Sequence, residues 1–187
     1  IDIQADMTVD PDNTGDERVL GLRFNQSGTT NFALNSELRL GDGSEDPAIL
    51  ATDNAGAVNI NNSNLFTEFN NTLTIAHYGS SNFTINSQID RFTAGNSVTK
   101  MGSGRLVLTN DSSRFSELNI YEGTVAVDSV SDSSAASSRS AAGDGADILI
   151  TNATFEYTGS TDQTTDVKVN IRGDATLKNS GTGAITF

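Results

Sequence analysis

The 187-residue chain contains no cysteine, and this absence excludes three kinds of site. Without cysteine there can be no disulfide scaffold, no thiol nucleophile and no cysteine-ligated metal centre. Histidine is also scarce, because His77 is the only one, so no pair of histidines can hold a metal ion. No serine near His77 lies in the Gly-x-Ser-x-Gly setting that marks an activated nucleophile. We therefore predict that the chain is not an enzyme, and we interpret His77 as a polar residue at the end of a strand.

Positive charge is scarce as well. Eleven Lys and Arg face 24 Asp and Glu, which gives a net charge of −13 and a pI near 4.2. Such a surface repels phosphate backbones and anionic headgroups, so we predict no nucleic-acid partner and no binding to an anionic membrane surface. No apolar run approaches the length of a membrane span, so we predict no membrane insertion by this segment. The chain opens at Ile1 with no signal peptide or initiator Met, and we interpret it as a processed or excised piece of a longer protein.

Tryptophan is absent, there are only two prolines, and aromatic residues make up 6% of the chain. Hydrophobic residues reach only 35%, so the core must be narrow. Seventeen glycines and many Asn, Ser and Thr favour short strands joined by tight polar turns rather than helices. Asn side chains in stacked turns can also form ladders between neighbouring strands.

Short apolar segments recur along the chain at intervals of roughly eight to twelve residues, as in a solenoid or a sandwich. The first is Ile1–Val9, and the second places Leu20, Leu22 and Phe24 on one face of a strand. We predict one elongated β domain over residues 1–187. The Ser/Ala-rich tract over residues 128–142 has no apolar period, so we expect it to be a loop extruded from one corner.

The most regular stretch covers residues 98–125. Leu106 and Leu108 alternate with Val107 and Thr109, which predicts a strand with the two leucines inside. The same period of two continues after each turn, in Leu118 with Ile120 and in Val125 with Val127. Three glycines, Gly102, Gly104 and Gly123, stand where the chain must reverse or bend.

This stretch resembles a known family. Lys100-x-Gly102-x-Gly104-x-Leu106-x-Leu108, the aromatic Phe115 and then Gly123-Thr124-Val125 are similar to the autotransporter-associated β-strand repeat of secreted passenger domains and surface proteins. The sequence departs from the family pattern after the aromatic residue, where Ser116-Glu117 stands in place of a Gly-Gly-Thr turn. The resemblance implies a right-handed parallel β-helix that is extracellular, on a bacterial cell surface.

The fold prediction is therefore all-β, with a right-handed parallel β-helix preferred over a β-sandwich or jelly roll. Two-residue Asn-Gly and Asp-Gly hairpins between alternating strands, which are typical of a sandwich, are nearly missing. Triplets such as Leu106-Val-Leu108 and Ile148-Leu-Ile150 suit short strands that end at corners.

The candidate sites are weak. Asp10, Asp12 and Asp16 place oxygen ligands before a glycine turn, as a calcium loop does, but Gly21 stands where the bidentate Glu is expected. We predict no cofactor and no required metal, and we treat the three aspartates as weak calcium candidates. The carboxylate pairs Asp42/Asp46 and Asp144/Asp147 could supply acid and base for glycoside cleavage, but 24 acidic residues generate such pairs by composition alone.

Three functions remain. The leading one is a non-enzymatic structural or adhesive segment of a bacterial surface protein or fibre, with further repeats of the same chain or copies of itself as end-to-end partners, and a host or matrix surface as another. The first alternative is a filament subunit that assembles by strand addition, because Ile1–Val9 and Ala184–Phe187 read as strands that can pair with a neighbour. The second is a carbohydrate-active β-helix enzyme.

Overall fold

The structure, a computed structural model, describes residues 1–3, 7–9, 18–35, 37–41, 44–67, 72–91, 95–133 and 139–187. Over these residues all regular secondary structure is β. The strands, in chain order, are β1 Asp2–Ile3, β2 Met7–Val9, β3 Arg18–Val19, β4 Gly21–Phe24, β5 Thr30–Leu34, β6 Leu38–Leu40, β7 Ala48–Ala51, β8 Val58–Asn62, β9 Asn64–Thr67, β10 Thr72–His77, β11 Asn82–Ile85, β12 Gln88–Arg91, β13 Ser97–Met101, β14 Arg105–Leu108, β15 Glu117–Ile120, β16 Thr124–Val127, β17 Asp147–Thr151, β18 Thr154–Tyr157, β19 Gln163–Thr164, β20 Val169–Arg172, β21 Thr176–Asn179 and β22 Ile185–Thr186.

The strands form two long sheets and two short ones. Sheet A has the order β1-β4-β7-β10-β13-β15-β17-β20, and sheet B has the order β2-β5-β8-β11-β14-β16-β18-β21. The short sheets are β12-β9-β6-β3 and β19-β22. Each turn of the chain, called a rung below, adds one strand to sheet A and one to sheet B.

The paired strands of the described residues run parallel throughout. The chain is therefore an all-β solenoid, as the sequence predicted. A β-sandwich or jelly roll is wrong for this chain, because those folds are built from antiparallel strands.

Stacking in register places equivalent side chains in columns inside the solenoid. One column of sheet A consists of Leu22, Ile49, Ile75, Lys100, Ile120, Ile150 and Ile171. A facing column of sheet B consists of Val58, Phe83, Leu106, Val125, Phe155 and Leu177. The two predicted core leucines, Leu106 and Leu108, are 0% and 2% exposed, so the predicted strand register is confirmed.

One predicted core residue lies outside. Leu20 is 55% exposed, although Leu22 and Phe24 are buried as expected. The reason is that the predicted strand is split, since β3 ends at Val19 and β4 begins at Gly21. Leu20 occupies the bend between them, where the alternation of a continuous strand does not apply.

Polar ladders run along the outside of sheet B, as the asparagine content predicted. Asn59 donates its amide to Asn31 Oδ1 at 3.1 Å. A second ladder runs from Thr109 to Asn86 and from Asn86 to Asn61, with a distance of 2.5 Å in each step. Each ladder satisfies polar side chains between neighbouring rungs.

The described parts of the Ser/Ala-rich tract, residues 128–133 and 139–142, lie against the core. Val130, Ala141 and Ala142 are buried, and the Ala141 amide donates to Ser129 Oγ at 2.9 Å. The intervening residues 134–138 of the predicted loop lie outside the described residues.

Candidate functional site

The Gly102–Gly104 turn joins β13 of sheet A to β14 of sheet B, and the chemistry concentrated there makes it the candidate site. We call this region the Lys100 corner and define it as residues 100–105 together with residues 77–79 of the preceding rung and 121–123 of the following one. The Gly104 amide donates to the His77 carbonyl at 2.8 Å, and the Tyr121 amide donates to the Lys100 carbonyl at 3.0 Å. The three rungs are thus directly connected.

Lys100 points into the solenoid and is 0% exposed. Its neighbours in the same column are Ile75 and Ile120, so its alkyl chain occupies an apolar position of the core. Its ammonium donates to the carbonyl oxygens of Met101 at 2.8 Å, Gly102 at 2.5 Å and Glu122 at 3.3 Å. An ammonium has three donors, so three carbonyls satisfy it.

Lys100 ties two rungs together. The Gly102 carbonyl belongs to its own turn, whereas the Glu122 carbonyl belongs to the turn of the next rung. Burial lowers the pKa of Lys100 to about 8, and the Glu122 carboxylate opposes this shift. At pH 7 the side chain is therefore still mostly an ammonium.

His77 ends β10 and is 0% exposed, so the sequence placed it correctly at a strand end but did not place it in the core. Neither ring nitrogen has a hydrogen-bond partner, and the ring lies edge-on against Phe83 with 5.8 Å between centroids. Burial lowers the pKa of His77 to about 4, and the Lys100 charge adds to this shift. The nearby Arg105 backbone opposes the shift, although it does not reach hydrogen-bond geometry. The imidazole is neutral at pH 7.

The glycine spacing of the motif follows from this packing. Gly102 has a φ of +78°, a conformation that favours glycine. A Cβ on Gly104 would lie 2.5 Å from His77 Nδ1 and 2.7 Å from the Gly79 carbonyl oxygen. The Lys-x-Gly-x-Gly pattern thus supplies the buried ammonium, a turn in the left-handed region and the room for the imidazole of the preceding rung.

The outside of the Lys100 corner carries three exposed apolar side chains on consecutive rungs. Tyr78 is 50% exposed, Met101 is 42% exposed and Tyr121 is 40% exposed. We call these three residues the tyrosine strip. Sequence reasoning missed the strip because the residues are separated by unequal lengths of chain, and only the strand register aligns them.

The structure describes only some of the acidic residues singled out in the sequence. Asp10, Asp12, Asp16 and Asp42 lie outside the described residues. Asp46 accepts a hydrogen bond from the Thr72 amide at 2.8 Å, so it caps the start of β10. Asp147 is exposed at the first position of β17.

The most strongly held carboxylate is one that the sequence did not indicate. Glu156 is 4% exposed and accepts hydrogen bonds from Arg105 at 2.9 Å, Lys178 at 2.7 Å and Ser180 at 2.5 Å. Burial alone would raise the pKa of Glu156, but the bonds from Lys178, Ser180 and Arg105 outweigh it and lower the pKa to about 2. This cluster joins three rungs on the outside of sheet B, and its role is structural.

A polar cleft of about 400 Å³ lies beside the turn that follows β16. Asp111 and Asp128 line it, and Ser129 donates to Asp111 Oδ1 at 2.5 Å. Burial and the Asp111 charge raise the pKa of Asp128. No group of three or more His, Cys, Asp or Glu side chains suited to a metal ion occurs in the part of the chain that the structure describes. Within that same part, no helix has the length and hydrophobicity needed to cross a membrane.

No protein-family model matches the chain, and no curated protein and no solved structure is significantly similar to it.

Proposed function

We propose that the chain is a non-enzymatic structural and adhesive length of a bacterial surface protein or fibre, joined at its ends to further β-solenoid structure. The resemblance of the Lys100–Val125 motif to autotransporter-associated repeats is the basis for proposing an extracellular location at the bacterial surface. The observation that carries the structural role is the open surface of the last described rung.

In that rung, the residues that continue two columns of the buried core are exposed. Ile171 is 54% exposed and Leu177 is 45% exposed, although the residues before them in their columns, Ile150 and Phe155, are buried. Phe187 is 46% exposed, and its ring meets Phe155 edge-on with 6.3 Å between centroids. A cavity of about 200 Å³ opens among Phe155, Leu177 and Phe187. A further rung with apolar residues in the same columns would cover this cavity and the exposed side chains around it.

The first rung offers a matching surface. The Arg23 amide donates to the Ile1 carbonyl at 2.8 Å, so Ile1 continues the ladder opposite Leu22, and it is 60% exposed. Ile1 and Ile171 thus stand in the same column at opposite ends of the solenoid. Contacts between unlike ends extend into filaments, because they do not close.

Charged residues at the two ends also fit an end-to-end contact in this strand register. Asp2 pairs with Arg23 in the strand ladder, and their charged groups lie 4.0 Å apart. Arg172 occupies the same outward position in the last rung as Arg23 does in the second. A following rung with an acidic residue at the Asp2 position would therefore repeat the ion pair. The neighbour is either a continuation of the polypeptide or a second copy.

Carbohydrate cleavage, the enzymatic alternative, has less support. Glu156 has its lowered pKa because three donors hold it, which is the arrangement of a structural carboxylate. Asp128 and Asp111 share a cleft, but the hydroxyl of Ser129 bonds Asp111 and ties it to the tract that follows β16.

The test is the association state of the 187-residue chain. We expect its sedimentation coefficient to rise with concentration, because the apolar end columns pair. Replacing both Ile171 and Leu177 by Lys should abolish this rise, whereas Met101→Lys, at an exposed apolar residue in the middle of the solenoid, should leave it unchanged. A chain that stays monomeric at the highest concentration reached, with both end strands protected from hydrogen exchange, would show that the ends are capped.

A further inference from the structure

Exposed large hydrophobic side chains are not scattered over the described surface. Eight are exposed, and four of them, Ile1, Ile171, Leu177 and Phe187, belong to the end rungs discussed above. Leu20 stands alone at a bend. The remaining three form the tyrosine strip. Single exposed apolar residues are ordinary, but a cluster of them marks an interaction surface.

The strip follows the solenoid axis. Met101 pairs with Ala76 in the sheet A ladder, and Tyr121 continues that ladder one rung further. Tyr78 lies two residues after Ala76, and its ring covers Gly102, because a Cβ built on Gly102 would lie 3.1 Å from Tyr78 Cδ1. With strands about 4.8 Å apart, the backbones of Tyr78 and Tyr121 are separated by roughly 10 Å along the axis.

The backbone beneath the strip is fixed from inside. The Lys100 ammonium binds the carbonyls of Met101 and of Glu122, the residue after Tyr121. From outside, Glu122 Oε2 accepts a hydrogen bond from the Gly102 amide at 3.0 Å. Tyrosine itself has few rotatable bonds, so little entropy is lost when such a surface binds. The backbone of the strip is therefore held in place before any ligand arrives.

The exposed area limits what can bind there. A buried tyrosine covers roughly 150–250 Å², so three half-exposed side chains offer on the order of 300 Å². A stable protein–protein interface needs about 800 Å² on each partner. The strip is too small for a folded protein and fits a thin, extended chain.

We propose that the tyrosine strip binds an uncharged, extended glycan chain, with sugar rings lying on Tyr78 and Tyr121. Sugar rings have apolar faces that pack on aromatic rings, and rings two residues apart in an extended chain are separated by about the axial distance between the two tyrosine backbones. The hydroxyls of the sugars have the phenolic hydroxyls and the exposed Glu122 carboxylate as partners. The net charge of −13 disfavours polyuronates and nucleic acids at the same surface. This inference deepens the adhesive part of the proposed function and rests on it.

The experiment is a nuclear magnetic resonance titration of the 187-residue chain with three oligosaccharides. Cellohexaose is extended and neutral, maltohexaose is neutral but helical, and hexagalacturonate is extended but anionic. We expect saturable binding of cellohexaose, with the largest shift changes at Tyr78, Met101 and Tyr121, and weaker binding of the other two. Absence of saturable cellohexaose binding, or shift changes confined to another part of the chain, would overturn the proposal.

Variants provide the second measurement. The double variant Tyr78→Ala/Tyr121→Ala should weaken cellohexaose binding at least about tenfold, since each aromatic contact contributes severalfold. The matched control Tyr78→Phe/Tyr121→Phe keeps both rings and should stay within about threefold of the parent. Equal affinity of parent and alanine variant would refute stacking on the strip. The alanine variant should associate end to end like the parent, and the Ile171/Leu177 lysine variant should still bind cellohexaose, so the two proposals fail separately.

Discussion

At the scale of single residues, two basic side chains of the described chain, Lys100 and His77, are 0% exposed. Burial of an ammonium is costly unless hydrogen bonds satisfy it. Lys100 meets this requirement with three carbonyls of two successive turns. His77 has no hydrogen-bond partner and is buried as the neutral imidazole, a form that burial and then the adjacent ammonium favour.

The first prediction at this scale concerns His77 and the loss of stability in acid. Its pKa is about 4 in the folded chain and near 6.5 when unfolded, so between these values only the unfolded state takes up a proton. The titration of His77 therefore leaves the free energy of unfolding unchanged above pH 6.5 and lowers it as the pH falls towards 4, by about 3 kcal/mol in total. In urea melts between pH 7 and pH 4, the free energy of unfolding of the parent should therefore fall by about 3 kcal/mol relative to that of His77→Phe. Parallel curves for the two proteins would contradict it.

The other groups with shifted pKa values do not change this comparison between parent and variant. Lys100 is protonated in both states below pH 8, and Glu156 contributes mainly below its ordinary pKa of 4.5. The raised pKa of Asp128 acts with the opposite sign, but it is common to parent and variant. Because the chain has one histidine, its ring protons also report the titration directly. In Lys100→Met the pKa of His77 should rise, since the neighbouring charge is gone.

At the scale of strands, the period of two predicted the core well wherever a strand is continuous. It placed Leu106, Leu118 and Val125 inside, and all three are 0% exposed. The same parity also points Lys100 and His77 inward, after Val98 and Ile75, but a charged or polar residue is rarely buried without known partners. Lys100 takes one of its carbonyl partners from the next rung, and His77 has no partner for either ring nitrogen, so the sequence alone could not justify burial.

Strand β14 provides the test of this register. Leu106 lies between Phe83 and Val125 in its column, so Leu106→Ala removes contacts with both neighbouring rungs. We expect a loss of roughly 2–5 kcal/mol in the free energy of unfolding, from transfer and cavity terms together. Val107→Ala is the matched control, because Val107 faces outward in the same strand and is only half-buried. A neutral Leu106→Ala would mean that the register is misassigned.

Corner geometry was less predictable than strand pattern. The turns between strands differ in length, so residues that stand side by side, such as Met101 and Tyr121, have no fixed separation in sequence. The exposed position of Leu20 has the same origin, because a corner interrupts the alternation there. The tyrosine strip and the three-rung Glu156 cluster therefore depend on register, which only the folded chain supplies.

At the scale of the whole molecule, the solenoid is quasi-one-dimensional. Each rung pairs its strands only with those of neighbouring rungs, so stability is close to a sum of rung and interface contributions, and an end rung has one paired interface instead of two. The Lys100 carbonyl contacts tie two inner rungs together, whereas the Glu156 cluster also reaches the last rung through Lys178 and Ser180. The last rung has exposed Ile171 and Leu177 in place of a second interface.

The last prediction follows from that asymmetry. In dilute solution the amides of β20 and β21 should exchange with solvent roughly tenfold or more faster than those of β15 and β16, because local opening of an end rung breaks one interface. At concentrations where the chain associates, β20 and β21 should gain protection while β15 and β16 stay unchanged. The control is the Ile171/Leu177 lysine variant, which should keep its fast exchange at every concentration. If β20 and β21 are already as protected as β15 in dilute parent protein, the last rung is covered within the monomer, and the end-to-end arrangement must be abandoned.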